Sequence, residues 1–201
     1  MNVPEKDGSG RRGRGRPRAF DTDETLDKAI EAFWDKGYDG ASISDLVAAT
    51  GLQRASLYAA FTDKEQLYLA ALAHYAARVR AVFEGAFTPG RDVGAALEDC
   101  LRGMIGIYAG GNGRRGCLVS CTAPAAAGDS AAIRDMLAEV LAEIETSLAD
   151  AFRAAQVPEP GLSAALAAAL VQGAALRIRA GVPRAEVEAT AIAAVPRLLG
   201  R

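Results

Sequence analysis

Between residues 53 and 58 the chain reads Gln-Arg-Ala-Ser-Leu-Tyr. On a helix this sets an amide, a guanidinium and two hydroxyls within two turns, with Leu57 and then Phe61 directed inward. Side chains of these types recognise base edges and phosphates. Arg54 suits a bidentate bond to a guanine edge or, equally, a backbone phosphate. Gln53 suits an adenine or a cap on the preceding turn. Ala55 suits a thymine methyl, or simply leaves room for close approach. The hydroxyls of Ser56 and Tyr58 suit phosphate contacts, the alternative for Tyr58 being burial against the first helix.

The elements around this stretch must hold it out from the molecule. Ile43, Leu46 and Val47 sit at i, i+3, i+4, one face of a helix. The pattern breaks at Gly51, where a residue free to take positive φ ends a helix. A second helix is expected over about Gln53 to Ala60. Two helices across a short glycine turn form a helix-turn-helix, whose second helix can enter a DNA major groove. Ser42-Ile-Ser-Asp45 has the form of a capping box, and Ser42 could add a phosphate contact at that helix N-terminus. Thr62-Asp-Lys-Glu65 reads as a further box opening a fourth helix. Lys64 in its first turn opposes the helix dipole, which points to a phosphate as its partner. Ahead of the pair, Asp21 and Glu24 cap a helix over about Thr22 to Lys36, with Leu26, Ile30, Phe33 and Trp34 inward and Gly37 as its stop.

The run T-G-L-x-R-x-S-L-Y-x-x-F at Thr50–Phe61, followed by Lys64-Glu65, closely resembles the DNA-binding domain of the TetR family of transcriptional regulators. So does the preceding pattern of Ala29, Phe33, Trp34, Gly37, Tyr38, Ser42, Ile43, Asp45 and Leu46. The match covers roughly Arg14 to Leu72. The resemblance implies an all-α fold: an N-terminal three-helix helix-turn-helix DNA-binding domain and a C-terminal helical ligand-binding and dimerisation domain. It also implies a phosphate contact for Lys64, a homodimer, and repression of a palindromic operator released by an effector. The expected divisions are a basic arm at 1–19, the DNA-binding domain at 20–66 and the effector and dimerisation domain at 67–201.

Charge distribution agrees with that division. The net charge is −2, yet residues 1–20 carry Lys6, Arg11, Arg12, Arg14, Arg16 and Arg18 against Glu5 and Asp7. A basic end on a mildly acidic body is expected when one end meets phosphate. Residues 1–19 lack apolar side chains to bury and read as disordered when free. Arg14, Arg16 and Arg18 are assigned to an arm beside or in the minor groove, the alternative being a solubilising tail. No secretory signal and no charge-free apolar run of membrane-spanning length is read, so a cytoplasmic location is expected.

Beyond the head, Leu67, Ala71, Tyr75, Val79 and Val82 make a continuous stripe on a long fourth helix. Later helices are expected over about 93–109, 117–127, 130–156, 162–180 and 183–199. Leu162, Leu166, Leu170, Ala174 and Ile178 are expected to line one face of the penultimate helix. Its alanines and Gly173 permit close approach, and the last two helices are assigned to the homodimer interface.

The effector pocket, as in TetR-like proteins, is expected within helices four to seven, with Tyr75, Arg78, Tyr108, Cys117 and Cys121 as lining candidates. Arg114, Arg115 and Thr122 are further polar candidates. Cys117 and Cys121 at i, i+4 would share a helical face. They suit two small core residues, a soft-metal contact such as Cu(I), or a thiol sensor of oxidants or electrophiles if Arg114 and Arg115 lower a thiol pKa. The head's wording is also similar to a TetR-family branch that includes a copper-responsive repressor. The effector class is thus a small molecule, an electrophile or a soft metal. No cofactor and no resident metal site are assigned. With one histidine and no H-E-x-x-H, C-x-x-C or phosphate-binding glycine loop, the chain is not read as an enzyme. The remaining rival is a helical protein-interaction module.

Overall fold

The computed structural model describes residues 21–111 and 113–201. Within them all regular structure is helical: α1 (Thr22–Gly40), α2 (Ile43–Thr50), α3 (Arg54–Phe61), α4 (Lys64–Ala86), α5 (Val93–Tyr108), α6 (Leu118–Ala126), α7 (Ala131–Ala154), α8 (Pro160–Arg179) and α9 (Arg184–Leu198). Arg14, Arg16 and Arg18 lie outside the described residues.

Local chemistry accounts for most of the helix starts. The Asp21 carboxylate accepts from the amides of Asp23 and Glu24. Asp92 accepts from Ala95 and Ser130 from Ile133. Each satisfies an N–H that the helix itself cannot. Two boundaries differ from expectation. At Gly37 the chain does not stop: it kinks at φ 71, ψ 175 and continues helically to Gly40. At the α3–α4 junction Thr62 is not the cap. It takes φ 53 at the end of α3, and Asp63 accepts from the Gln66 amide instead. The box is therefore displaced by one residue.

α1 packs on α2, α4 and α6, and α2 and α3 pair across their turn. Ile30, Phe33, Leu46, Leu57 and Leu72 are buried in this part. α4 then runs into the rest of the chain, touching α5, α6 and α7. α8 packs on α7, α9, α5 and α6. It is long and apolar enough to cross a membrane by length and composition, as a core helix can be; here it packs within the bundle.

The stripe expected along one face of α8 is split, with Ala174 and Ile178 buried and Leu162 and Leu166 exposed. Ala164, Ala167, Ala168, Val171, Ala174, Ala175 and Ile178 point inward, while Leu162, Leu166 and Leu176 are 57%, 52% and 56% exposed. Small residues fill the inner face because α8 lies close between α7 and α9. The leucines are left on the outside.

Candidate nucleic-acid interface

The α2–α3 turn is Gly51–Gln53, and its geometry is fixed by three contacts. Gly51 takes φ 72 and donates to the Val47 carbonyl. Thr50, buried, donates its hydroxyl to Leu46 O at 2.7 Å and accepts from the Leu52 amide at 3.3 Å. Leu57 anchors α3 beneath, fully buried. With its inner side fixed, α3 turns Gln53, Arg54, Ala55, Ser56 and Tyr58 to solvent. Tyr58 is 41% exposed, so it is not buried against α1. Gln53 occupies the N-cap position, yet its side chain makes no capping bond. The turn-cap alternative for Gln53 is thereby removed.

Below α3, the N-terminus of α2 is tied to α1. Ser42 and Asp45 form the expected reciprocal box, and the Lys36 ammonium bonds the other Asp45 oxygen at 2.5 Å. Lys36, then Ser42, hold the Asp45 carboxyl far below the usual carboxylate range. Lys64 lies at the opposite end of α3. Its ammonium is 4.5 Å from the centroid of the Tyr38 ring and 3.4 Å from the Asp39 carbonyl. Both partners belong to the turn of α1 beyond the Gly37 kink. Sequence patterns give no signal for Lys36 or Tyr38 in these roles, because both pairings are made in space.

Of the expected effector residues, Tyr75, Tyr108, Cys117 and Cys121 are neighbours in the interior, while Arg78 lies apart. Tyr75 and Tyr108 are wholly buried, and burial, above all, pushes both phenols up. The Tyr75 hydroxyl makes no hydrogen bond of good geometry; the Cys117 thiol and Leu118 amide are polar neighbours. Arg78 is on the surface, bonded to Asp27 of α1 at 3.2 Å, and so does not line a cavity. Contrary to expectation, Cys117 is not a residue of the helix that holds Cys121. It precedes α6 and caps it, its sulfur accepting from the Ser120 amide. Burial, then Cys117, raise the Cys121 thiol, and the opposing arginine is Arg179 rather than Arg114 or Arg115. Arg115 instead pairs with Glu31 and lies 5.0 Å from the Trp34 ring centroid. Burial raises Cys100 to about 12. Among the described residues no three His, Cys, Asp or Glu side chains gather as a metal site.

Between α4 and α7 a cavity of about 20 Å³ is lined by Ala76, Val79, Phe83, Val140 and Ile144, room for little more than one water. A cleft of about 450 Å³ opens at the far end, beside Phe87, Arg91, Val93 and Ala151. Neither is lined by Tyr75, Tyr108, Cys117 or Cys121.

Residues 26–71 match the model of the bacterial regulatory proteins of the tetR family. Residues 94–193 match the C-terminal domain of LmrA/YxaF-like transcriptional regulators. A solved structure of CifR, a TetR family transcriptional regulator in a cysteine-substituted form complexed with 26-bp double-strand operator DNA, is 31% identical. The alignment covers 92% of this chain and 98% of that one, with a TM-score of 0.76. The chain belongs to the TetR family. TetR-family proteins are transcriptional regulators and not enzymes, which agrees with the helix-turn-helix geometry. Two curated relatives come from Escherichia coli (strain K12). The HTH-type transcriptional repressor ComR is 39% identical over 115 residues, covering 56% of this chain and 55% of ComR. The HTH-type transcriptional repressor BdcR is 30% identical over 105 residues, covering 52% and 53%. The match thus spans about half the length of these curated relatives.

Proposed function

We propose that this chain is a cytoplasmic repressor that binds a palindromic operator as a homodimer and is released by an effector held in its helical body. The observation that carries the reading is α3: a row of exposed Gln53, Arg54, Ala55, Ser56 and Tyr58 above one buried leucine, on a turn locked by Gly51 and Thr50. Such a helix fits the major groove, with Arg54 or Gln53 at base edges and Ser56 and Tyr58 at phosphates. Ser42 at the α2 N-terminus and Lys64 flank it as further phosphate contacts, and Arg14, Arg16 and Arg18 form the minor-groove arm. We divide the chain near residues 66 and 67, with α4 carrying motion between the parts. One head spans few base pairs, so two are needed at one helical turn apart. The exposed Leu162, Leu166 and Leu176 supply an apolar surface for the second copy. The effector pocket is assigned to Tyr75, Tyr108, Cys117 and Cys121, which line neither of the cavities described above, so an effector acts by selecting a conformer in which space opens beside them.

The test is binding of the purified chain to a duplex from upstream of its own gene, beside a scrambled duplex, across a salt series. Selective binding that falls steeply with salt is expected. Arg54→Ala should weaken binding about tenfold or more and reduce the preference for the true duplex. Equal affinity for both duplexes, unchanged by Arg54→Ala, would sink the operator reading.

A further inference from the structure

Lys64 does not reach into solvent on its own. Its ammonium sits over Tyr38 at 4.5 Å and against the Asp39 carbonyl at 3.4 Å. A lysine has four flexible carbons, and a cation over an aromatic face gives that chain one preferred direction. The Tyr38 ring is itself fixed. It stacks near Phe33 at 6.5 Å and meets the Tyr68 ring at 4.8 Å, while Phe33 and Tyr68 meet edge to face at 4.7 Å. Tyr68 is fully buried on α4.

The hydroxyl of Tyr68 leaves this aromatic group for another element. It donates to Thr122 Oγ1 on α6 at 2.6 Å, and the Thr122 hydroxyl donates in turn to Leu118 O at 2.5 Å. The Thr122 proton is committed to that carbonyl, which fixes the direction of the Tyr68 bond. A buried polar pair of this kind holds its geometry, because either group left alone would lack a partner away from water. One unbroken series of contacts therefore runs from α6 through Thr122, Tyr68 and Tyr38 to Lys64.

We propose that Tyr38 is a positioning residue for Lys64, and that the Tyr68–Thr122 hydrogen bond ties this seat to α6, so that α6 sets the pose of the lysine at the DNA phosphate. The inference rests on the operator-binding reading above. It gives α6, the helix that carries Cys121 and is capped by Cys117, a direct route to one DNA contact without rotation of the whole head.

The experiment is a salt series of anisotropy measurements on the full chain, with labelled duplexes from upstream of its own gene and of scrambled sequence. Lys64→Ala should reduce the slope of log affinity against log salt by about one phosphate equivalent. Tyr38→Leu should weaken binding about two- to fivefold, the loss of one exposed cation–π contact, and reduce the slope in the same direction. Tyr38→Phe keeps the ring and should restore both. Combined with Lys64→Ala, Tyr38→Leu should add nothing further. Tyr68→Phe keeps the ring packing and loses only the bond to Thr122. It should shift affinity when Lys64 is present and not when it is alanine, and it carries the test if Tyr38→Leu does not fold. Additive losses, or weaker binding at an unchanged slope, would overturn the proposal while leaving the operator reading intact. A wild-type chain that binds neither duplex at low salt would overturn both.

Discussion

Gly37 takes φ 71, ψ 175 inside a helix that continues beyond it. This region of backbone space is closed to side chains by the clash of Cβ with the neighbouring peptide. Nothing lies within 4 Å of a Cβ built there, so the obstacle is the backbone alone. Gly37→Ala should cost about 1–3 kcal/mol, measured as a lower midpoint of denaturant unfolding at unchanged m-value. The loss should be local to the head, since the kink is what brings Tyr38 and Asp39 round to Lys64. Gly51 illustrates the easier case. Its φ of 72 ends α2 in the left-handed turn that a glycine after an apolar period announces. Both glycines were legible as breaks. That one of them bends a helix without ending it depends on residues downstream, and a glycine signal carries no information about which.

At the scale of elements, one polar link between head and body is Arg179. From the end of α8 its Nη1 donates to the Trp34 carbonyl of α1 at 2.9 Å and to the Arg115 carbonyl at 3.0 Å. Arg115 pairs with Glu31 of α1 and covers the Trp34 ring. The loop before α6 is thus held to α1 by two arginines from different places in the sequence. Arg179→Ala should cost about 1.5–3 kcal/mol, the range for hydrogen bonds to a charged group. Arg179→Lys should recover part of it, because an ammonium also has donors enough for two carbonyls but sits on a shorter side chain. Unfolding curves of the three proteins measure both effects. The helices themselves were legible from i, i+3, i+4 periods, and the caps Asp21 and Ser42 from residue type. The cap at the start of α4 was misread because Thr62 and Asp63 are both capping residues; the φ of 53 at Thr62, set by how α3 hands over to α4, decides between them. Cys117 was misplaced for a similar reason: a thiol is not a usual cap, so no residue type announces that α6 begins at Leu118.

At the scale of the whole molecule, the exposed row of α3 was the most legible part, because exposure there follows from Leu57 and the Gly51 turn alone. The effector side was least legible. Arg78 was assigned inward, yet its partner Asp27 lies 51 residues earlier, beyond any local pattern. The α8 stripe of Leu162, Leu166, Leu170, Ala174 and Ile178 was legible as a stripe but not as to burial, since Ala174 and Ile178 are buried and Leu162 and Leu166 exposed. Their exposure argues for the proposed dimer. Leu166→Glu puts a charge into that face and should yield a monomer by sedimentation, with operator affinity falling at least tenfold because paired heads are lost. Stability then acquires a dependence on copy number. If two folded chains complete each other's surface, unfolding separates them, and each tenfold dilution removes about 1.4 kcal/mol from the dimer relative to its two unfolded chains. The melting midpoint of the wild-type chain should therefore rise with protein concentration, and that of Leu166→Glu should not.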